Sequence, residues 1–125
     1  MFQLERAFHL SFEERPGYLY AHVAAEKITP GDALEYWREI GQKCSATHSD
    51  RLLLVRDVPY MMKDVDLRTT TSGYLKMVKS TKVAVVNPHR SIREDMKFAL
   101  MIAMNGGGNF NIFDTEEEAE RWLEE

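Results

Sequence analysis

The chain has 125 residues, of which 44% are apolar and 29% are charged, as is ordinary for one globular domain. Its net charge of −4 argues against non-specific binding of nucleic acid, which relies on lysine and arginine to neutralise phosphates. Cys44 is the single cysteine, so no internal disulfide is expected and a reducing cytoplasm is the simplest compartment. The start of the chain is too charged for a signal peptide, and no apolar run approaches the about 18 residues of a membrane span. We therefore expect one cytoplasmic domain over residues 1–125.

The N-terminal segment predicts a β-hairpin with one apolar face. Apolar residues alternate with polar ones from Phe8 to Phe12, which is the period of a half-buried strand. Residues 14–17 form the predicted turn, and a second alternating strand runs from Leu19 to Ala25.

A helix is predicted directly after the hairpin. Thr29 is suited to the N-cap position, and Pro30 is suited to the first helical position because its missing N–H is not needed there. The buried stripe of this helix is predicted to comprise Leu34, Trp37, Ile40 or Gly41, and Cys44.

Strands and helices alternate through the rest of the chain. Residues 52–55 and 83–86 are short apolar runs, typical of strands that are buried on both faces. A helix is predicted within residues 66–79 and another over residues 92–104, and residues 110–113 form the last strand. With a final helix, the order is β-β-α-β-α-β-α-β-α. This order predicts an α/β fold with a mixed sheet, in which the N-terminal hairpin is followed by parallel strands.

Two capping boxes and a glycine run mark the ends of the last two helices. Ser91 with Glu94, and Thr115 with Glu118, match the pattern in which an N-cap hydroxyl and an acid three residues later cap each other. The run at residues 106–108 follows a helix and precedes a strand. Glycine is favoured there because the residue that ends a helix often adopts the left-handed backbone conformation. A phosphate loop has the opposite order, so the run is interpreted as structural.

Three segments resemble the SpoIIAA-like proteins, which are relatives of the STAS domains of anti-sigma-factor antagonists and sulfate transporters. They are GYLYAHVAAEKITPGDALEYW at residues 17–37, KVAVVNP at residues 82–88 and FNIFDTEEEAERWL at residues 110–123. The resemblance implies a SpoIIAA/STAS-like mixed sheet with its helices mainly on one face. It also implies a mostly non-catalytic module that binds a partner or ligand.

Ser72 is a candidate phosphorylation switch that the same resemblance suggests. Antagonist-type STAS domains carry a phosphorylatable serine in a short segment after the central strand, and the Thr-Thr-Ser-Gly of residues 70–73 is similar to it. A phosphate there would act best at a helix N-terminus. The alternative is an ordinary polar helix surface, because no Asp precedes the serine.

The loop at residues 87–93 is a candidate anion site. It follows a predicted parallel strand and leads into a helix, which is the usual place for a ligand in an open α/β sheet. The cluster is predicted to contain His89, Arg90 and Arg93 from this loop, with Arg56 and Asp57 from the end of the neighbouring strand. The alternative is a solvated loop that carries surface cations.

The helix at residues 92–104 has more apolar residues than one buried face needs. Its core face would use Ile92, Met96, Ala99 or Leu100, and Ala103. Phe98, Met101 and Ile102 are then surplus. With Met61 and Met62 they are predicted to line a pocket or a subunit interface, because methionine adapts to varied shapes.

The polar face of the hairpin is a candidate interaction surface. If residues 14–17 are a four-residue loop, His9 lies directly across from His22, with Tyr20 on the same face. Two imidazoles can begin a metal site, but no third ligand is evident, so no metal is expected. A pH-sensitive or partner-covered surface is the alternative.

No sequence motif of an enzyme is present, and no cofactor is expected. Cys44 and His48 are four residues apart, but Cys44 continues the buried stripe of its helix. We therefore expect a non-catalytic module, forming a homodimer, that acts by binding a protein partner. The alternative is a module that binds a small apolar or acyl-type ligand against Phe98, Met101 and Ile102, with its anionic end at Arg90 and Arg93.

Overall fold

The computed structural model describes residues 6–125, so the charged start of the chain at residues 1–5 lies outside the described residues. One five-stranded sheet has the order β1-β2-β3-β4-β5. β1 runs antiparallel to β2, and β2, β3, β4 and β5 are parallel to one another. The strands are β1 (His9–Arg15), β2 (Tyr18–Ala24), β3 (Arg51–Asp57), β4 (Lys82–Val86) and β5 (Asn109–Phe113).

Four α-helices alternate with the parallel strands, and the predicted order of elements is confirmed. They are α1 (Pro30–Ala46), α2 (Asp64–Leu75), α3 (Arg93–Asn105) and α4 (Glu116–Glu124). Single 3₁₀ turns at Lys76–Val78 and Arg90–Ile92 extend α2 and precede α3. α2 begins two residues before the predicted window of 66–79, because Asp64 and Asp66 both lie in its first turn, where acids favour the helix dipole.

Three helices cover one face of the sheet and α4 covers the other, as the prediction of helices mainly on one face requires. In β3, Leu52 and Leu54 join the core beneath α1, α2 and α3, whereas Leu53 and Val55 join the smaller core beneath α4. Strand side chains alternate between faces, so a continuous apolar run serves both cores. α4 lies across β3, β4 and β5.

The predicted cap of α1 is confirmed, and its stripe needs one correction. Thr29 accepts a hydrogen bond from the N–H of Asp32, and the Asp32 carboxylate accepts one from the N–H of Thr29. Leu34 is only half-buried, and Ala33 and Tyr36 are buried instead. The stripe is rotated toward Ala33 and Tyr36, and Leu34 lies beside Gly73 of α2.

The predicted hairpin register was wrong by two residues. β1 continues to Arg15, which pairs with Tyr18 across a turn of only two residues, and Gly17 has a φ of +86° as such a tight turn requires. Across this turn the Arg15 guanidinium donates a hydrogen bond to the Tyr18 hydroxyl at 3.2 Å. His9 therefore lies across from Ala24, and Ser11 lies across from His22.

The predicted Ser91 cap was also wrong. The chain makes a 3₁₀ turn through Ser91, so Ile92 occupies the N-cap position of α3 without a side-chain hydrogen bond. At the other end of α3, Gly107 has a φ of +93°, and the N–H of Gly108 bonds the Ala103 carbonyl at 2.9 Å. The structural interpretation of the glycine run is thereby confirmed. Thr115 caps α4, accepting the N–H of Glu118.

Candidate functional site

Three polar side chains meet where the parallel strands end, on the α4 side of the sheet. The Asp57 carboxylate at the end of β3 bonds His89 Nε2 at 2.7 Å and lies 3.6 Å from His22 Nε2. The loop after β4 is held in place by Asn87, whose side-chain oxygen accepts the backbone N–H of His89 at 2.8 Å. The predicted proximity of Asp57 and His89 is therefore present, and His22 joins them as a third member. We call these three residues the rim cluster.

The predicted anion site, a cluster of positively charged side chains, does not form at this edge of the sheet. His89 is held by the Asp57 carboxylate, and the Arg93 guanidinium bonds Asp114 at 2.8 Å. Arg90 is exposed, in the 3₁₀ turn that precedes α3. Two of the predicted cations thus already face carboxylates, so the edge has mixed charge rather than a positive one.

Arg56 lies on the opposite face from the rim cluster, which corrects its predicted position. Alternation along β3 directs it, like Leu54, toward the three helices, and it is only 5% exposed. Its guanidinium donates to the carbonyls of Val58 at 3.3 Å and Tyr60 at 2.8 Å. Among residues 6–125, no carboxylate lies within 4 Å of it to form an ion pair. Arg56 therefore fastens the loop after β3 while keeping an uncompensated charge.

A cleft of about 60 Å³ lies beside Arg56, between the sheet and the three helices. Met61 and Met62 line it, as predicted. The lining from α3, however, consists of Met96, Ala99, Leu100 and Ala103 rather than the predicted Phe98, Met101 and Ile102. The cleft is far smaller than the several hundred Å³ that typical drug-sized ligands occupy.

Trp37 and Tyr74 form the aromatic wall of the cleft, and the sequence analysis missed Tyr74. Their rings stack with centroids 4.6 Å apart. Burial raises the pKa of Tyr74 to about 12, while the charge of Arg56 acts in the opposite direction. Leu67, Thr70 and Tyr74 lie on this buried face of α2, but the threonine interrupts the apolar periodicity that would have revealed it.

The outer face of α3 carries a stripe of apolar side chains spaced three residues apart. Phe98 is half-buried beneath the Arg68 guanidinium, whose carbon lies 5.7 Å from the ring centre. Met101 is 51% exposed and Met104 is 55% exposed. Phe98 and Ile102, which were predicted as surplus, both pack partly against the core. We call Phe98, Met101 and Met104 the outer α3 stripe.

The β1–β2 part of the second sheet face is only partly covered. Tyr18 and Tyr20 pack against the edge of the α4 core, and the Arg15 guanidinium lies 3.9 Å above the Tyr20 ring. His9 is exposed and His22 is half-buried on this same face. In residues 6–125, no group of three His, Cys, Asp or Glu side chains is arranged to hold a metal ion.

Ser72 and Cys44 lie in positions that bear on their predicted roles. Ser72 is exposed near the C-terminal end of α2, so a phosphate there would not meet the helix N-terminus that the prediction invoked.

Cys44 is buried, which raises the pKa of its thiol to about 11 and disfavours the reactive thiolate. His48 is exposed at the end of α1, with a φ of +54°. Within residues 6–125, no helix is both long enough and apolar enough to cross a membrane.

The structure is similar to the crystal structure of an anti-sigma factor antagonist from Mycobacterium paratuberculosis. The similarity covers 94% of this chain and 95% of that chain, with a TM-score of 0.66 and 16% sequence identity. The fold is that of an anti-sigma factor antagonist. The predicted SpoIIAA/STAS-like mixed sheet is thereby confirmed at the level of fold. No protein-family model matches the chain, and no curated protein sequence does.

Proposed function

We propose that the chain is a non-catalytic regulatory module of the cytoplasm that acts by binding a protein partner. The fold supports this proposal, because the similar structure is that of an antagonist of an anti-sigma factor. The observation that carries it for this chain is the outer α3 stripe, where two neighbouring methionines are each more than half exposed. Exposed apolar side chains that follow one helix face are typical of an interaction surface.

The chemistry of the stripe suits a protein surface. Methionine and aromatic residues are enriched in the cores of interfaces, and methionine adapts to the shape of its partner. Arg68 borders the stripe and forms no ion pair within residues 6–125. We therefore propose a partner that presents apolar side chains to Met101 and Met104 and an acidic group to Arg68.

A second copy of this chain is one such partner, and the homodimer remains part of the proposal. Self-association through α3 would place the two stripes against each other across a two-fold axis, because a symmetric dimer uses the same surface on both subunits. Light scattering over a dilution series would separate this arrangement from binding of a different protein.

The test replaces both exposed methionines by acids. In the double variant Met101→Glu/Met104→Glu, two charges would enter the proposed interface, whose core is normally depleted of charge. Tagged wild-type chain and variant would be expressed in the source organism, and co-purified proteins would be quantified by mass spectrometry. We expect any specific partner to fall by about tenfold or more in the variant, since an unpaired charge in an interface core costs several kcal/mol.

A matched control places the same two charges elsewhere. Gln42 and Ala46 are exposed on α1, so Gln42→Glu/Ala46→Glu should retain every partner that the wild type retains. Both variants should unfold at temperatures close to that of the wild type. Equal recovery of all partners and an equal oligomeric state in both variants would contradict a role for the outer α3 stripe.

A further inference from the structure

The guanidinium of Arg56 is buried but its charge has no counterpart. The residue is 5% exposed, and its side-chain contacts are two backbone carbonyls and the Met96 sulfur at 3.8 Å. Carbonyl dipoles satisfy N–H donors but carry no net charge. Burying a cation without an anion is unfavourable, and buried charges in proteins are normally paired.

Part of the guanidinium remains available to a further group. Arginine has more N–H donors than these contacts use, and the side chain forms one wall of the cleft. The Tyr36, Thr70 and Tyr74 side chains also line the cleft. The other lining residues are apolar, so the cleft combines one cation and three hydroxyl-bearing side chains with an otherwise apolar lining.

The size of the cleft limits what it can hold. A single water needs roughly 10–15 Å³ of such a cavity, so 60 Å³ suits about four to six non-hydrogen atoms. The half-buried Met61 and Leu100 line the cleft, where a slightly longer chain could extend toward solvent. A long acyl chain is too large to lie inside.

We propose that this cleft binds a short-chain aliphatic carboxylate, with its carboxylate on Arg56 and its alkyl group against the apolar lining. A carboxylate matches the planar fork of the guanidinium and supplies one negative charge for one positive charge. A phosphate dianion would leave excess negative charge in a site whose single cation is Arg56. The alkyl group would contact Trp37, Leu100 and Ala103. This proposal does not depend on the outer α3 stripe, so either proposal can fail while the other stands.

The experiment uses butyrate as the probe and butyramide as its uncharged control. In a Trp122→Phe background, Trp37 is the remaining tryptophan and reports on the cleft wall. We expect butyrate to change Trp37 fluorescence saturably and to raise the melting temperature, and butyramide to bind at least about tenfold more weakly. Hydrogen bonds to a charged group contribute enough for such a difference.

Three variants make the test specific to this site. Arg56→Met should weaken butyrate binding about tenfold or more, whereas Arg90→Met, which removes an exposed arginine, should leave it unchanged. Ala99→Leu keeps Arg56 but fills the cleft, so it should also lose binding if Arg56→Met folds poorly. Circular dichroism and thermal unfolding would report the folding of each variant.

The contrary outcomes are equally definite. If butyrate and hexanoate at tens of millimolar affect Trp37 no more than their amides do, the cleft binds no carboxylate and Arg56 serves only to fasten its loop. If Arg56→Met folds and binds butyrate as tightly as wild type does, the anion is not recognised by this guanidinium. Binding that survives in Ala99→Leu would place the ligand outside the cleft.

Discussion

Arg56 and Asp57 are adjacent in the chain but lie on opposite faces of the sheet. Asp57 reaches the rim cluster, where it is partly exposed and meets two imidazoles. Arg56 points beneath three helices, where it is buried and meets only carbonyls and a sulfur. Two charged residues at the end of one strand therefore need not belong to the same site. Strand alternation assigns each of them to a different solvent environment.

The cores on the two faces of the sheet also differ in how fully their side chains are buried. Beneath the three helices, Trp37 is 4% exposed and touches the rings of Tyr36, Tyr74 and Phe110. Beneath α4, Trp122 is half-buried and pairs with Phe113 alone among the aromatic rings of residues 6–125. Folding therefore depends mainly on the three-helix face, and the α4 face is the more open one.

The largest expected effect is a difference in the free energy of unfolding between alanine variants of the two tryptophans. Trp37→Ala should lower the free energy of unfolding by about 3–5 kcal/mol, because it leaves a large cavity among packed rings. Trp122→Ala should lower it by about 1–2 kcal/mol, because less apolar area is removed from the interior. Urea unfolding of both variants measures the difference. Equal losses would contradict the unequal weight that we assign to the two faces.

A pH titration gives the next contrast, between Tyr74 and Tyr20. The pKa of Tyr74 is raised by burial from 10 to about 12, so the unfolded chain ionises before the folded protein does. The contribution of Tyr74 to the free energy of unfolding is complete below pH 10. It falls by about 2–3 kcal/mol as the pH rises to 12. Burial also raises the pKa of Tyr20, on the more open face.

Urea unfolding between pH 9 and about 11.5 would check this contrast. Tyr74→Phe should remove most of the loss of about 2–3 kcal/mol that the wild type shows with rising pH. Tyr20→Phe should remove less of it. An identical pH dependence in wild type and Tyr74→Phe would show that the Tyr74 hydroxyl titrates as it does in the unfolded chain.

The smallest effects concern Arg56 and Asp57 themselves. Arg56→Met should change the free energy of unfolding by no more than about 1–2 kcal/mol, because losing two hydrogen bonds is offset by removing a buried charge. Asp57→Asn should cost about 0–1 kcal/mol, because its partners are partly exposed. Butyrate should still raise the melting temperature of Asp57→Asn but not that of Arg56→Met. The reverse result would place the anion at the rim.

Most of the fold was predictable because its signals are local. The apolar runs in β3 and β4, the Thr29 and Thr115 caps and the glycine run each act within a few residues. Predictions failed where the outcome depended on turn geometry or side-chain packing that hydrophobic periodicity does not report. The hairpin register followed a two-residue turn with Gly17 at a positive φ. The buried stripe of α1 includes Ala33 and Tyr36, while Leu34 lies beside Gly73 of α2.

The candidate sites were predicted less well, because a site joins residues from separate elements. The proximity of Asp57 and His89 followed from the shared edge of parallel strands, and it is present. The face of α3 that lines the cleft was misassigned, because the helix is apolar on more than one side. Tyr74 was missed because α2 has little amphipathic pattern.

The sequence by itself determined the order of elements, the caps and the two-faced central strands, because hydrophobic periodicity and backbone hydrogen bonding are local properties. Only the tertiary structure decided which charges are paired and which are buried alone. It set Asp57 against two imidazoles, set Arg93 against Asp114 and enclosed Arg56 beneath three helices. Pairing and burial are properties of the whole packed chain, because both depend on which distant residues displace water from a side chain.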